Sequence, residues 1–233
     1  MEDRTRITTS GGSGTTERQT LRVRLVFEVR AGTPVQNESL NLLFGNQMLV
    51  GREPSCEIPI LDNRISRKHA LIRIDPDAIR LTDLGSTNGT IRNGEPVSEE
   101  IIIMNRDRIE FGRVRYFETR MVERDGHLTS IRLAAGADAY LLAPAEVLIG
   151  RADPANRNCD LLIYDPALEL RHARLEHFYG NTFVVSLNEQ NPVKVNGKPI
   201  KELEIHSGQL LELGKTLLRY EIVSDAPPEN PPG

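Results

Sequence analysis

Short motifs recur along this chain at a nearly constant spacing. Gly51-Arg52 returns as Gly150-Arg151, 99 positions on. Cys56-Glu57 returns as Cys159-Asp160, His69-Ala70 as His172-Ala173 and Asn93-Gly94 as Asn196-Gly197, each at 103, and Phe111-Gly112 returns as Leu213-Gly214, at 102. One four-residue insertion between Arg151 and Cys159 accounts for most of the mismatch. A period of about 100 residues is far too long for a solenoid unit, so it marks a duplicated domain. Two units of that size can each bury a core. The repeat predicts domains at 20–123 and 125–224, joined tightly around Arg124-Asp125-Gly126.

Within each unit, helical periodicity is scarce and strand signals dominate. Leu21–Val29, Ala70–Ile74, Ile79–Leu84, Ile101–Met104, Val114–Glu118, His127–Leu133, Arg174–Phe178, Phe183–Leu187 and Leu217–Val223 are short apolar or alternating runs. Many are β-branched, and Asn-Gly, Asp-Gly and Pro-containing turns separate them. Such a pattern predicts an all-β chain of sandwiches or barrels. The ends differ: Thr8 to Thr16 reads TTSGGSGTT, and Pro227, Pro228, Pro231 and Pro232 crowd the last residues. Neither end can offset ordering entropy, so 1–19 is expected to be a disordered tail and 225–233 a Pro-rich tail or linker.

Composition narrows the function. With 29 Lys+Arg against 33 Asp+Glu the net charge is −4, which argues against a nucleic-acid binder. No apolar run approaches the roughly 18 residues of a membrane span, and no apolar segment follows the polar Met-Glu-Asp-Arg start as a signal peptide requires. Two cysteines are too few for a disulfide scaffold or a four-cysteine zinc site, so a cytoplasmic or other reducing compartment is expected. Their matched repeat positions favour small core residues. No histidine shows metal-ligand spacing; His172 and His177 lie five apart in a strand-rich region. Phosphate-loop, nucleophile-elbow and metalloprotease motifs are absent, so neither an enzyme, a cofactor nor a metal is expected.

One stretch reverses the overall sign. From Arg64 to Arg73 there are four positive side chains and no negative one. Arg52 and Arg67 offer planar donor forks, Lys68 a point charge, and Ser66 and Thr87 neutral hydroxyl donors, with Ser86 an alternative to Thr87. Asn88 carries a donor and an acceptor suited to an extended peptide backbone. All lie in turn-rich sequence between strands, where a sandwich displays binding loops.

Gly51-Arg52, then Ser66-Arg67-Lys68-His69, then Ser86-Thr87-Asn88-Gly89 resemble the forkhead-associated (FHA) domain, a β-sandwich that binds phosphothreonine peptides. The resemblance implies that Arg52, Ser66, Arg67 and Thr87 contact the phosphate and that Asn88 holds the peptide main chain. It further implies that Arg64 helps select the residue three places after the phosphothreonine. His69 corresponds to a histidine that supports the loop scaffold, and Gly51 and Gly89 to turn positions. The second unit keeps Gly150-Arg151 and His172 but sets Glu169 opposite Ser66, Leu170 opposite Arg67 and Asn191-Pro192 opposite Asn88-Gly89. A carboxylate repels a phosphate of about −1.5 to −2 charges, so the second unit is expected to be a degenerate FHA-like domain.

The expected function is a phosphothreonine-dependent adaptor in Ser/Thr kinase signalling. Its partners would be phosphothreonine-containing proteins, or its own N-terminal tail once Thr8, Thr9, Thr15 or Thr16 is phosphorylated. Two other readings stay open: a phospho-independent scaffold, and the regulatory segment of a longer enzyme or transporter.

Overall fold

The computed structural model describes residues 20–28, 39–154, 156 and 158–223. The expectations for the two tails, including the tail threonines, lie outside them. Every regular element described is a strand. The first repeat contributes β1 (Leu21–Glu28), β2 (Ser39–Phe44), β3 (Gln47–Gly51), β4 (Ile58–Pro59), β5 (Ala70–Ile74), β6 (Ile79–Asp83), β7 (Thr90–Arg92), β8 (Glu95–Pro96), β9 (Ile101–Ile102), β10 (Arg108–Phe111) and β11 (Arg115–Arg124). The second contributes β12 (His127–Ala135), β13 (Asp138–Ala143), β14 (Glu146–Arg151), β15 (Leu161–Ile163), β16 (Ala173–Phe178), β17 (Asn181–Ser186), β18 (Lys194–Val195), β19 (Lys198–Pro199), β20 (Glu202–Ile205), β21 (Leu210–Leu213) and β22 (Thr216–Ile222). The fold is all-β, as the pattern of short runs predicts.

These strands form one twelve-stranded sheet, ordered β19-β18-β21-β22-β1-β2-β13-β12-β11-β10-β7-β8, and two five-stranded sheets, β15-β14-β16-β17-β20 and β4-β3-β5-β6-β9. Successive residues of a strand point to opposite faces, and the two central strands use both. Leu40, Leu42 and Phe44 of β2, with Ala139, Leu141 and Ala143 of β13, enter one core with Val147, Leu175 and Val184. Leu43 and Leu142, on the other face of the same strands, enter a second core with Val50, Ile72 and Leu81. One small sheet therefore covers each face of the long sheet, giving two sandwiches that share a continuous spine.

The cores do not divide at residue 124 as the repeat alone suggests. Val23 and Leu25 of β1 are buried with the second repeat's strands, and Ile131 and Leu133 of β12 with the first repeat's. The cause is the turn between β11 and β12. Asp125 and Gly126 have φ of 53° and 76°, the two positive values that a type I′ hairpin turn needs. Arg124 then faces His127, and β12 takes the seat beside β11. The equivalent seat beside β22 goes to β1, in the register Val23↔Ile222 to Glu28↔Leu217. Each repeat thus closes the other's sheet with its N-terminal hairpin. The parallel pairing of β2 with β13, Asn41↔Tyr140 to Phe44↔Ala143, joins the two halves.

A buried carboxylate locks the junction. Asp160, 1% exposed, accepts hydrogen bonds from Arg124 (2.5 Å), from the Ser130 hydroxyl (2.5 Å) and from the Leu148 amide (2.7 Å). It thereby ties the β11–β12 hairpin to β14 of the other sandwich. Arg120 adds bonds to the Cys159 and Asp160 carbonyls. Removing one partner of a buried pair strands the other charge, so Asp160→Ala is expected to cost about 3–5 kcal/mol. Replacing the exposed Asp77, which pairs with Arg80 at the surface, is expected to cost under about 1 kcal/mol. Urea unfolding of the two variants against the unsubstituted chain checks the contrast.

Candidate functional site

Three loops of the first sandwich meet at one end: 52–57 between β3 and β4, 60–69 between β4 and β5, and 84–89 between β6 and β7. Main-chain bonds hold the first two together. The Arg52 amide donates to the Ser66 carbonyl (3.0 Å), the Glu53 amide to the Arg67 carbonyl (3.3 Å) and the Ile60 amide to the Gly51 carbonyl (2.8 Å). Gly51 is expected at a turn; it is instead the last residue of β3, and its φ is not positive. Glycine is required there by close approach, because a Cβ would sit 2.2 Å from the Arg67 carbonyl oxygen. Gly89 is a true turn glycine, at φ +76°.

Histidine 69 pins the second loop to the third. Fully buried, it accepts the Ser66 amide proton at Nδ1 (3.2 Å), and its Nε2 lies 3.2 Å from the Gly89 carbonyl. The pair of contacts requires the neutral ring with its proton on Nε2. Burial pushes its pKa below the ordinary value, against opposing pulls from the Gly89 carbonyl and Asp83. The Ser66 hydroxyl accepts the Thr87 amide (3.1 Å) and donates to no group among the described residues. The Asn88 side chain donates to the Arg64 carbonyl (2.7 Å), leaving its oxygen and one N–H for a ligand.

The structure separates two neighbours that the sequence leaves as alternatives. Ser86 turns inward, its amide and hydroxyl both bonded to Asp83 at 2.7 Å, where the Thr90 hydroxyl also donates. Burial raises the Asp83 carboxyl, but the bonds from Thr90 and Ser86 outweigh it and hold the pKa below the usual range. Thr87 is left exposed beside Ser66.

The cations fall into two groups. Arg64 makes a two-pronged pair with Asp62, at 3.0 and 2.8 Å, and these bonds hold the Asp62 pKa down to about 2. The exposed side chains of Arg52, Arg67 and Lys68 make no ion pair among the described residues. Arg113, not singled out by the sequence, belongs with these three. It sits at φ 56° in the turn between β10 and β11 and, with Arg64, Thr87, Asn88 and Gly112, lines an open cleft of about 470 Å³. That turn is pressed against the 60–69 loop, since a Cβ on Gly112 would meet the Arg64 carbonyl oxygen at 2.9 Å. A basic residue after the Phe-Gly pair is a signal the sequence does contain, but the contact with Arg64 is visible only in the fold.

The second sandwich repeats this scaffold without its chemistry. The Arg151 amide donates to the Glu169 carbonyl and the Glu169 amide to His172 Nδ1, the bonds that Ser66 makes in the first copy. Cys159 donates to the Leu170 carbonyl as Cys56 does to that of Arg67, and Asn191 donates to the Ala167 carbonyl as Asn88 does to that of Arg64. Glu169 therefore occupies the Ser66 position and Leu170 the Arg67 position. Proline cannot adopt the positive φ of Gly89. With Pro192 in that place, the buried His172 Nε2 has no hydrogen-bond partner among the described residues.

The buried His69 and His172 and the half-buried His177 have pKa values lowered first by burial. The unfolded chain takes up protons on them near pH 6.5, where the folded chain does not. Their contribution to stability is therefore full only well above pH 6.5, and stability is expected to fall as pH drops from 7.5 through 6.5 to 5. Urea midpoints across that range test this; an unchanged midpoint contradicts it.

Comparison with known proteins places this geometry. The family model of the FHA domain matches residues 48–112 and 147–214, together more than half of the chain. The Glycogen accumulation regulator GarA of Mycobacterium tuberculosis is 37% identical over 65 residues, 28% of this chain and 40% of its own length. The Oxoglutarate dehydrogenase inhibitor of Corynebacterium jeikeium is 38% identical over 65 residues, 28% of this chain and 44% of its own. The chain thus spans less than half the length of the curated relatives it matches. Among solved structures, the FHA domain of an Arabidopsis thaliana hypothetical protein is 33% identical, covering 47% of this chain and 88% of its own, with a TM-score of 0.30. A chain from an analysis of phosphothreonine-dependent FHA domain interactions is 30% identical, covering 44% of this chain and 99% of its own, with a TM-score of 0.33. No helix long and apolar enough to cross a membrane occurs among the described residues.

Proposed function

This chain belongs to the FHA-domain family, and from that premise we propose that its first repeat captures phosphothreonine-bearing proteins as an adaptor in Ser/Thr kinase signalling. The observation that carries the reading is charge placement. Arg52, Arg67 and Lys68 are exposed and make no ion pair among the described residues, and they share with Ser66 two loops bound to one another through the main chain. A phosphate dianion is the ligand such a set fits. Arg52, Ser66, Arg67 and Thr87 would bind the phosphate. Asn88 would hold the peptide main chain with the atoms it has left. Arg64 and Arg113 would read the flanking side chain; Arg64 is already paired with Asp62 and Arg113 makes no ion pair among the described residues, so an acidic residue would be favoured there.

Capture would be static. Little ordering is left for the moment of binding, because the backbone bonds and His69 already fix the loops. Cellular partners on this reading are phosphorylated proteins recognised by an arginine cluster.

Calorimetric titration of the full chain with a peptide library fixed on a central phosphothreonine tests the reading. Arg52→Ala is expected to weaken binding by about 2–3 kcal/mol and Ser66→Ala by about 1–2 kcal/mol, since a neutral donor to a phosphate is the weaker bond. Equal affinity for phosphorylated and plain libraries contradicts the proposal. The second repeat should not be rescued by Glu169→Ser with Leu170→Arg, because Pro192 still holds the third loop. With the first site disabled by Arg52→Ala and Ser66→Ala, phosphopeptide binding in that double replacement would show that Pro192 is no obstacle. The carboxylate it removes matters in its own right: two like charges at about 4 Å repel by roughly 4 kcal/mol at an effective dielectric of 20.

A further inference from the structure

The exchange of hairpins gives the second repeat work to do. We propose that the second repeat serves the first by donating the β12–β13 hairpin that closes and stiffens the sandwich beneath the cradle, with Tyr140 as a positioning residue for the loops. The affinity part of this inference rests on the phosphothreonine reading; the structural part does not.

The physical chain is short. Ile131, Leu133 and Leu142 from the second repeat share a core with Ile65, Phe111 and Phe117 from the first. Tyr140 of β13 packs edge-on against Phe117, with ring centroids 6.1 Å apart and planes at 73°. Phe117 lies 6.0 Å from Phe111, and Phe111 meets His69 edge-on at 5.9 Å and 88°. His69 holds both the Ser66 amide and the Gly89 carbonyl. An unbroken line of packed rings therefore runs from the second repeat to the serine at the centre of the cradle. Close-packed interiors transmit displacement, because a void or a tilt at one ring leaves the next without its contact. A degenerate ligand site and an intact sandwich are both expected of a repeat whose work is structural.

The chain carries its own reporters. Cys56 belongs to the first repeat and Cys159 to the second, and both are fully buried, so a thiol reagent reaches each only when its sandwich opens. The full chain is labelled in urea below its unfolding midpoint, and the modified cysteine is identified by peptide mass. Exchange predicts a crossed pattern. Ile131→Ala, in the second repeat, speeds labelling of Cys56 roughly tenfold more than that of Cys159, and Leu25→Ala, in the first repeat, does the reverse. If either variant fails to fold, Ile131→Val or Leu25→Val gives the same sign at smaller size. An uncrossed pattern, or equal acceleration of both thiols, overturns the exchange. Light scattering must return a one-copy mass; a two-copy mass puts the donated hairpin on a neighbouring chain and overturns the proposal in this form.

The positioning role has a separate readout. Tyr140→Ala is expected to weaken binding of the phosphothreonine library severalfold, and Tyr140→Phe, which keeps the ring, to restore it. Loss in both, or in neither, removes Tyr140 from the role. If the unsubstituted chain binds no phosphothreonine, the proposed function falls and the role of Tyr140 falls with it. The labelling pattern then still decides the exchange.

Discussion

The Asp125-Gly126 turn decides how this molecule is put together. Two successive positive φ values make a tight hairpin of β11 and β12, and a tight hairpin leaves no freedom over which strand lies beside β11. Once β12 holds that seat, β1 closes the other sheet against β22. The doubly buried pair β2–β13 follows, with apolar side chains directed into both cores. Asp160 is then buried at the crossing, where Arg124, Ser130 and the Leu148 amide satisfy it.

On that spine the two ends diverge by a few side chains. The backbone bonds that shape the loops are the same in both sandwiches, so the scaffold does not depend on the ligand chemistry. Arg67 and Leu170 each offer the same carbonyl to a cysteine thiol and crowd the same glycine. Both residues are exposed and make the contact through the main chain, so their side chains are free to differ. Among the described residues the first end keeps Arg52, Arg67, Lys68 and Arg113 without carboxylate partners, and the second sets Glu169 and Leu170 where Ser66 and Arg67 stand.

Much of this was legible in the sequence for physical reasons. Short β-branched runs between turn residues specify strands, and the motif spacing aligned Glu169 with Ser66, which the matching hydrogen bonds bear out. The hairpin exchange was not legible, because a duplicated sequence reads the same whichever repeat each hairpin closes. Only the geometry of a two-residue turn distinguishes the two, and in the sequence that turn reads simply as a tight junction between the repeats. Ser86 and Thr87 were equivalent as hydroxyls until Asp83 drew one of them inward. Gly51 was legible as a required glycine but not as one required by contact, since the crowding carbonyl lies 16 positions away at Arg67. Arg113 joins the site only through the packing of its turn on the Arg64 loop.

The most direct test of the account is an amide chemical-shift titration of the full chain with the phosphothreonine peptide library. The account predicts shifts at Arg52, Ser66, Arg67, Thr87 and Asn88 that saturate together, with Arg151, Glu169, Leu170 and Asn191 unmoved. Shifts centred on the second set, or no shifts that depend on the phosphate, would contradict it.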